Sequence, residues 1–175
     1  MKRNFEWKET SSPLCPLCKK EVETCDHVLQ CPSTFTRTIV RAELQEFHAS
    51  LVKMQTQPIL RKHMMRVLKQ WFLSYSIPKI NIAHVQEMNI GIAEAINDQI
   101  TIGIDNLVRG VISWKIGIVQ QQFYDTVSKK MNGDGQMWAR RVIDSLLSMT
   151  HRIWKQRCEL VNNTLEMSYE KRLRN

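Results

Sequence analysis

The sequence predicts a mainly α protein, a small cysteine-rich N-terminal segment followed by a helical bundle of about five helices. Three observations carry that expectation. Six glycines and five prolines in 175 residues are too few for the many turns of an all-β chain. Leu, Ile, Met, Gln, Lys and Arg are plentiful, a composition that favours helix. Beyond residue 34, apolar side chains recur every three to four positions, the period of a helix with one buried face.

The elements follow in order. Over 37–53, Val40, Leu44, Phe47 and Leu51 form one stripe, with Ser33 or Thr34 as its cap. Pro58 opens a second helix that reaches about residue 75, with Leu60, Met64, Val67, Leu68, Trp71 and Tyr75 inward and Arg61, Lys62, Arg66 and Lys69 outward. Pro78 ends it, since proline cannot continue a helix. A third helix is expected over 83–98, favoured by Ala93, Glu94 and Ala95. Gly91 and the runs IGIAEAI and ITIGI keep short strands open as the alternative there. A turn with Asp105, Leu107 and Val108 leads through Gly110 into a fourth helix striped by Ile112, Ile116, Val119 and Phe123.

The stretch SKKMNGDGQ, 128–136, is the clearest loop, because Asn-Gly and Asp-Gly are turn dipeptides. The last helix spans 136–162, with Ile143, Leu146, Leu147, Thr150, Trp154 and Val161 on one side and Arg140, Arg141, Arg152, Lys155 and Arg157 on the other. The sequence therefore divides into 1–33, a helical domain over 34–165 and a polar, frayed tail over 166–175. Trp71, Trp114, Trp138 and Trp154 are expected in the core or half-buried, and His48, His63, His84 and His151 at the surface or an interface. Cys158, alone in the last helix, reads as a small packing residue.

Charge is unevenly distributed. The net charge is +8, and segment by segment it is zero over 1–33, +6 over 34–84, −2 over 85–135 and +4 over 136–175. An electrostatic footprint for a polyanion belongs to the helices and not to the cysteine segment. No run of 18 apolar residues occurs and the start MKRNFEWKET has no signal-peptide core, so the expected location is intracellular, nucleus or cytoplasm, with no membrane partner.

The cysteine segment carries the chemistry. CPLCKKEVETCDHVLQC, residues 15–31, holds four of the five cysteines and one of the five histidines. Cys15 and Cys18 supply two thiolates from one tight turn, and His27 and Cys31, four residues apart, share one face of a helical turn. Together they spell C-x2-C-x8-H-x3-C, a four-ligand set suited to tetrahedral Zn2+. Cys25 is an alternate ligand in place of His27. Asp26 is a candidate N-cap of that turn, and Glu23 a candidate acceptor for the imidazole. Four protein ligands leave no position for a substrate water, so residues 1–33 are expected to be a structural, zinc-knuckle-like module with no catalytic residue.

These residues resemble a known family. C-P-L-C, then E-V-E-T, then D-H-V-L-Q-C-P is similar to the zinc-binding segment downstream of the polymerase in reverse transcriptases of non-LTR (LINE-type) retrotransposons. DQITIGIDNLVRGVIS (98–113), QQQFYD (120–125) and WARRVIDSLLSMTHRIWKQRCELVN (138–162) are similar, in order, to the helical tail that follows it in some of those reading frames. Lys19 stands where the family often has Gly after the second Cys, the His-to-Cys gap is three where four is common, and Ile104 replaces an expected Trp. The resemblance implies an RNA or DNA partner and a reverse transcriptase core as a second partner.

Polymerase chemistry needs paired carboxylates for two metal ions, and no Asp-Asp occurs in the chain. The expected function is a zinc-stabilised nucleic-acid-binding accessory module without polymerase or nuclease activity and without a small-molecule substrate. Its phosphate contacts are expected from Arg61, Lys62, Arg66, Lys69, Arg140, Arg141, Arg152, Lys155 and Arg157. The alternative is a zinc-stapled module that docks onto a reverse transcriptase core, or a truncated retroelement relic.

Overall fold

The computed structural model describes residues 12–74, 90–127 and 134–173, with side chains described as far as 163. Seven helices are present among these residues: α1 (Cys25–Gln30), α2 (Thr34–Lys53), α3 (Pro58–Ser74), α4 (Ile90–Ile102), α5 (Ile104–Val108), α6 (Trp114–Val127) and α7 (Gly135–Leu173). The predicted mainly helical class holds. The strand alternative around Gly91 is replaced by α4, and the one β pairing described is an isolated antiparallel bridge, Leu14 with Val22. None of the described helices is long and apolar enough to cross a membrane.

The chain forms two compact units, one of residues 1–43 with 150–175 and one of residues 44–149. The boundaries fall inside α2 and α7, so the cysteine segment shares its unit with the start of one helix and the end of another.

In the unit of residues 44–149, Leu44, Phe47 and Leu51 are buried from α2, as are Leu60, Met64, Val67, Leu68, Trp71 and Phe72 from α3. Ile92, Ala95 and Ile96 of α4, Leu107 and Val108 of α5, and Ile116 and Val119 of α6 are likewise buried, and Trp138, Val142, Leu146 and Met149 complete the core from α7. Polar side chains fasten the turns between these helices. The fully buried Gln120 accepts from the Gln57 backbone N–H at 2.9 Å and donates to the Gln55 carbonyl at 3.1 Å. The Tyr124 hydroxyl donates to the Met54 carbonyl, and the Trp138 indole to the Thr56 hydroxyl at 3.0 Å. Buried Gln99 holds the α5–α6 connection by donating to the Gly103 and Val111 carbonyls and accepting from the Ser113 N–H. Helices α6 and α7 meet at two glycines: a Cβ on Gly135 would lie 2.2 Å from the Gly117 carbonyl oxygen.

Several sequence expectations are corrected. The buried stripe of α7 is Trp138, Val142, Leu146, Met149, Ile153 and Arg157, while Leu147 and Trp154 are exposed. That stripe is turned by about 100°, one residue, from the expected one. Of the four tryptophans expected in the core or half-buried, Trp71 and Trp138 are buried, Trp154 is 47% exposed and Trp114 is 64% exposed. His63 is buried instead of exposed. Helix α7 continues to Leu173 where a frayed tail was expected, and residues 104–108 form a helix where a turn was expected. The cap of α2 is Ser33, whose hydroxyl accepts from the Thr36 N–H at 3.2 Å. Tyr75, Pro78, His84, the start of the third helix at 83 and most of the loop at 128–136 lie outside the described residues.

Candidate metal centre

The unit of residues 1–43 and 150–175 builds a chain reversal around Cys15. Cys15 N–H donates to the Glu21 carbonyl at 2.8 Å and Glu23 N–H to the Pro13 carbonyl at 3.0 Å. Inside that pair, Lys19 N–H donates to the Cys15 carbonyl at 2.8 Å, and Lys19 takes φ +57°. This is the left-handed conformation that glycine adopts without strain. The turn brings Cys18 back over Cys15.

Thr24 then caps α1, its hydroxyl accepting from the His27 N–H at 3.1 Å. Thr24, and not Asp26, is the N-cap. One helical turn carries His27 and Cys31 to the same face, as their spacing requires. The Sγ atoms of Cys15, Cys18 and Cys31 and a ring nitrogen of His27 all lie within 4.8 Å of one another. The Cys15 and Cys31 sulfurs are 3.7 Å apart and Cys18 Sγ is 3.3 Å from His27 Nε2. A tetrahedron with metal–sulfur bonds of about 2.3 Å has sulfur–sulfur edges of about 3.8 Å. The two separations are of that size, and the four residues could hold one metal ion. All five cysteines are free thiols, and Cys25 is exposed and lies outside the cluster, so the histidine is the fourth member.

Supporting groups complete the site. His27 Nδ1 lies 3.1 Å from Glu21 Oε2, which leaves Nε2 to face the thiols and fixes the ring as carboxylates do behind metal-bound imidazoles. Glu21 thus takes the part expected of Glu23. Cys15, Cys31 and His27 are buried and Cys18 is partly exposed. Burial raises the Cys18 thiol, but the backbone N–H groups of Lys20 and Glu21 outweigh it and its pKa falls below the usual thiol value. Burial dominates at Cys31 and raises its pKa against the opposing bonds from Ser33.

Glu23 is buried and pairs with Arg157 of α7. Arg157, expected on the outward face as a phosphate contact, is 1% exposed. It is drawn inward by that carboxylate and by Cys15, whose Sγ its Nη2 approaches at 3.6 Å. Sequence pattern gave no signal for this, because an arginine in an amphipathic helix reads as solvated. Arg152 is half-exposed and bonded to Glu43 at 2.8 Å. Lys62, Lys69, Arg140, Arg141 and Lys155 are exposed, and Arg61 and Arg66 partly so. In the other unit a cavity of about 150 Å³, lined by Gln57, Ile92, Val119, Gln122, Phe123 and Thr126, carries no titratable side chain.

Fold and site together define a mostly helical protein with a Cys3His cluster able to hold a metal ion. No protein-family model, curated protein or solved structure matches the chain.

Proposed function

We propose that the cluster holds a structural Zn2+ in a knuckle-like module, and that the chain is a nucleic-acid-binding accessory module related to the C-terminal region of non-LTR retrotransposon reverse transcriptases. The observation that supports the metal reading is the convergence of three sulfurs and one imidazole nitrogen within 4.8 Å of one another. Among the common biological ions, zinc is favoured by three soft thiolates and an imidazole with no oxygen donor in the set. Four protein ligands close the coordination sphere, so the ion's part is folding, with an apparent binding energy on the order of 10 kcal/mol.

The nucleic-acid reading is supported by the charge pattern. Helix α3 contains no acidic residue and presents Lys62 and Lys69 with Arg61 and Arg66, and α7 exposes Arg140, Arg141 and Lys155. Lysines and arginines on such faces bind phosphates and release counterions, which makes affinity fall steeply with salt. A second reading, docking onto a polymerase core, is favoured by the exposed apolar side chains Val111, Trp114, Met137 and Leu147.

Metal analysis and a salt titration test both parts. Purified protein is expected to carry one zinc per chain and to lose it in Cys15→Ser and Cys18→Ser. It is also expected to bind single-stranded RNA or duplex DNA with an affinity that drops as salt rises. Protein that is metal-free after purification in zinc-containing buffer removes the first part. Absence of nucleic-acid binding at low salt removes the second and leaves the docking reading.

A further inference from the structure

The buried arginine beside the cluster has a chemistry that the zinc reading alone does not use. Arg157 is 1% exposed, and its guanidinium is a cation with donors only. A buried charge is tolerated only with partners, and two are in place: the Glu23 carboxylate and the Cys15 sulfur, 3.6 Å from Nη2. A neutral thiol is a weak acceptor, whereas a thiolate is a full anion. Three thiolates and a neutral imidazole around a divalent ion leave one net negative charge, and Cys15, at 0% exposure, has no water to share it.

Resting on the metal reading above, we infer that Arg157 is a positioning residue of the metal centre. Its guanidinium, held by Glu23, hydrogen-bonds the Cys15 thiolate of the loaded site and makes seating of residues 150–163 of α7 dependent on the ion. The purely structural contacts of the same stretch are separate. Arg152 Nε bonds Glu43 Oε2 at 2.8 Å and Gln156 Nε2 bonds Glu43 Oε1 at 3.0 Å, on α2, and Glu43 is not one of the cluster residues. Packing and charge can therefore be varied one at a time.

The full chain is loaded with Co2+, whose thiolate-to-cobalt charge-transfer band reports the electron density on sulfur. Wild type is expected to take one Co2+ with a tetrahedral, thiolate-rich spectrum; if it shows no such band, the metal reading itself fails and this inference with it. In Arg157→Met the band is expected to move to lower energy, because a thiolate without its donor is a better electron donor. Metal affinity is expected to fall by about tenfold or more, the usual effect of removing an outer partner. Arg157→Lys, which keeps the charge, is expected to recover part of the affinity, and Arg152→Gln to leave both readouts at wild-type values. A normal wild-type spectrum together with an Arg157→Met band and affinity unchanged within about twofold overturns the role of Arg157 while leaving the metal reading intact. Hydrogen exchange of wild type with and without a chelator decides the coupling even where Arg157→Met does not fold. Amides 150–163 are expected to exchange at least about tenfold faster without metal, an opening of this helix end, and unchanged exchange overturns the proposal.

Discussion

Residues that carry chemistry were readable in proportion to how local that chemistry is. The four cluster residues lie within seventeen positions, and spacing alone points to their convergence, because a tight turn and one helical turn have fixed geometry. Their supporting groups were not readable by the same logic. Glu21 and Glu23 sit two apart on a short reversal, and which one meets His27 depends on where the backbone turns, around Lys19. Arg157 depends on a contact 142 residues away in sequence. Lys19 yields a test at this scale. Its φ of +57° costs a residue with a Cβ about 1 kcal/mol relative to glycine, partly returned by the greater chain entropy of an unfolded glycine. The metal-loaded Lys19→Gly protein is expected to gain about 0.5 kcal/mol, read as a small rise in thermal midpoint. A midpoint several degrees lower would show that the lysine side chain has a role of its own.

Elements were readable where one apolar stripe stands against a polar face. Val40, Leu44, Phe47 and Leu51 were assigned from period alone, and all four are buried. Helix α7 defeats the same reasoning because two neighbouring stripes are both largely apolar there. The stripe that wins is the one ending in Arg157, whose charge disguised it. The α6–α7 approach was also hidden, since glycine in a sequence says nothing about what lies opposite. It now makes a sharp comparison. A Cβ at Gly135 would meet the Gly117 carbonyl oxygen at 2.2 Å and the Gln121 N–H at 3.0 Å, whereas a Cβ at Gly117 meets only the Gln136 side chain, at 3.4 Å, and the Gly135 carbonyl, at 3.5 Å. Gly135→Ala is expected to lose about 1–3 kcal/mol through forced backbone movement, and Gly117→Ala clearly less. Urea denaturation of the two variants checks the order, and equal stabilities would mean that the two helices separate without cost.

At the scale of the whole molecule, the two compact units draw on different sources of stability. Residues 44–149 bury a core of aliphatic and aromatic side chains tied at its turns by Gln99, Gln120, Tyr124 and Trp138. The unit with the cluster buries few large apolar side chains among its described residues, Val28, Val40 and Ile153, beside the ion pairs Glu23–Arg157 and Glu43–Arg152 and a cluster that could hold a metal ion. Removal of metal is therefore expected to erase amide protection over 25–31 while Leu60, Leu68, Leu107 and Leu146 stay protected. Simultaneous loss of both sets, followed by hydrogen exchange, would show that the helical core depends on the ion as well. The positions of the ligands and of Arg157 along the chain also set an order of events at the ribosome. The four cluster residues leave it within seventeen positions of one another. The guanidinium that approaches Cys15 Sγ is translated 142 residues after it, so over that interval the nascent cluster stands without its buried cation.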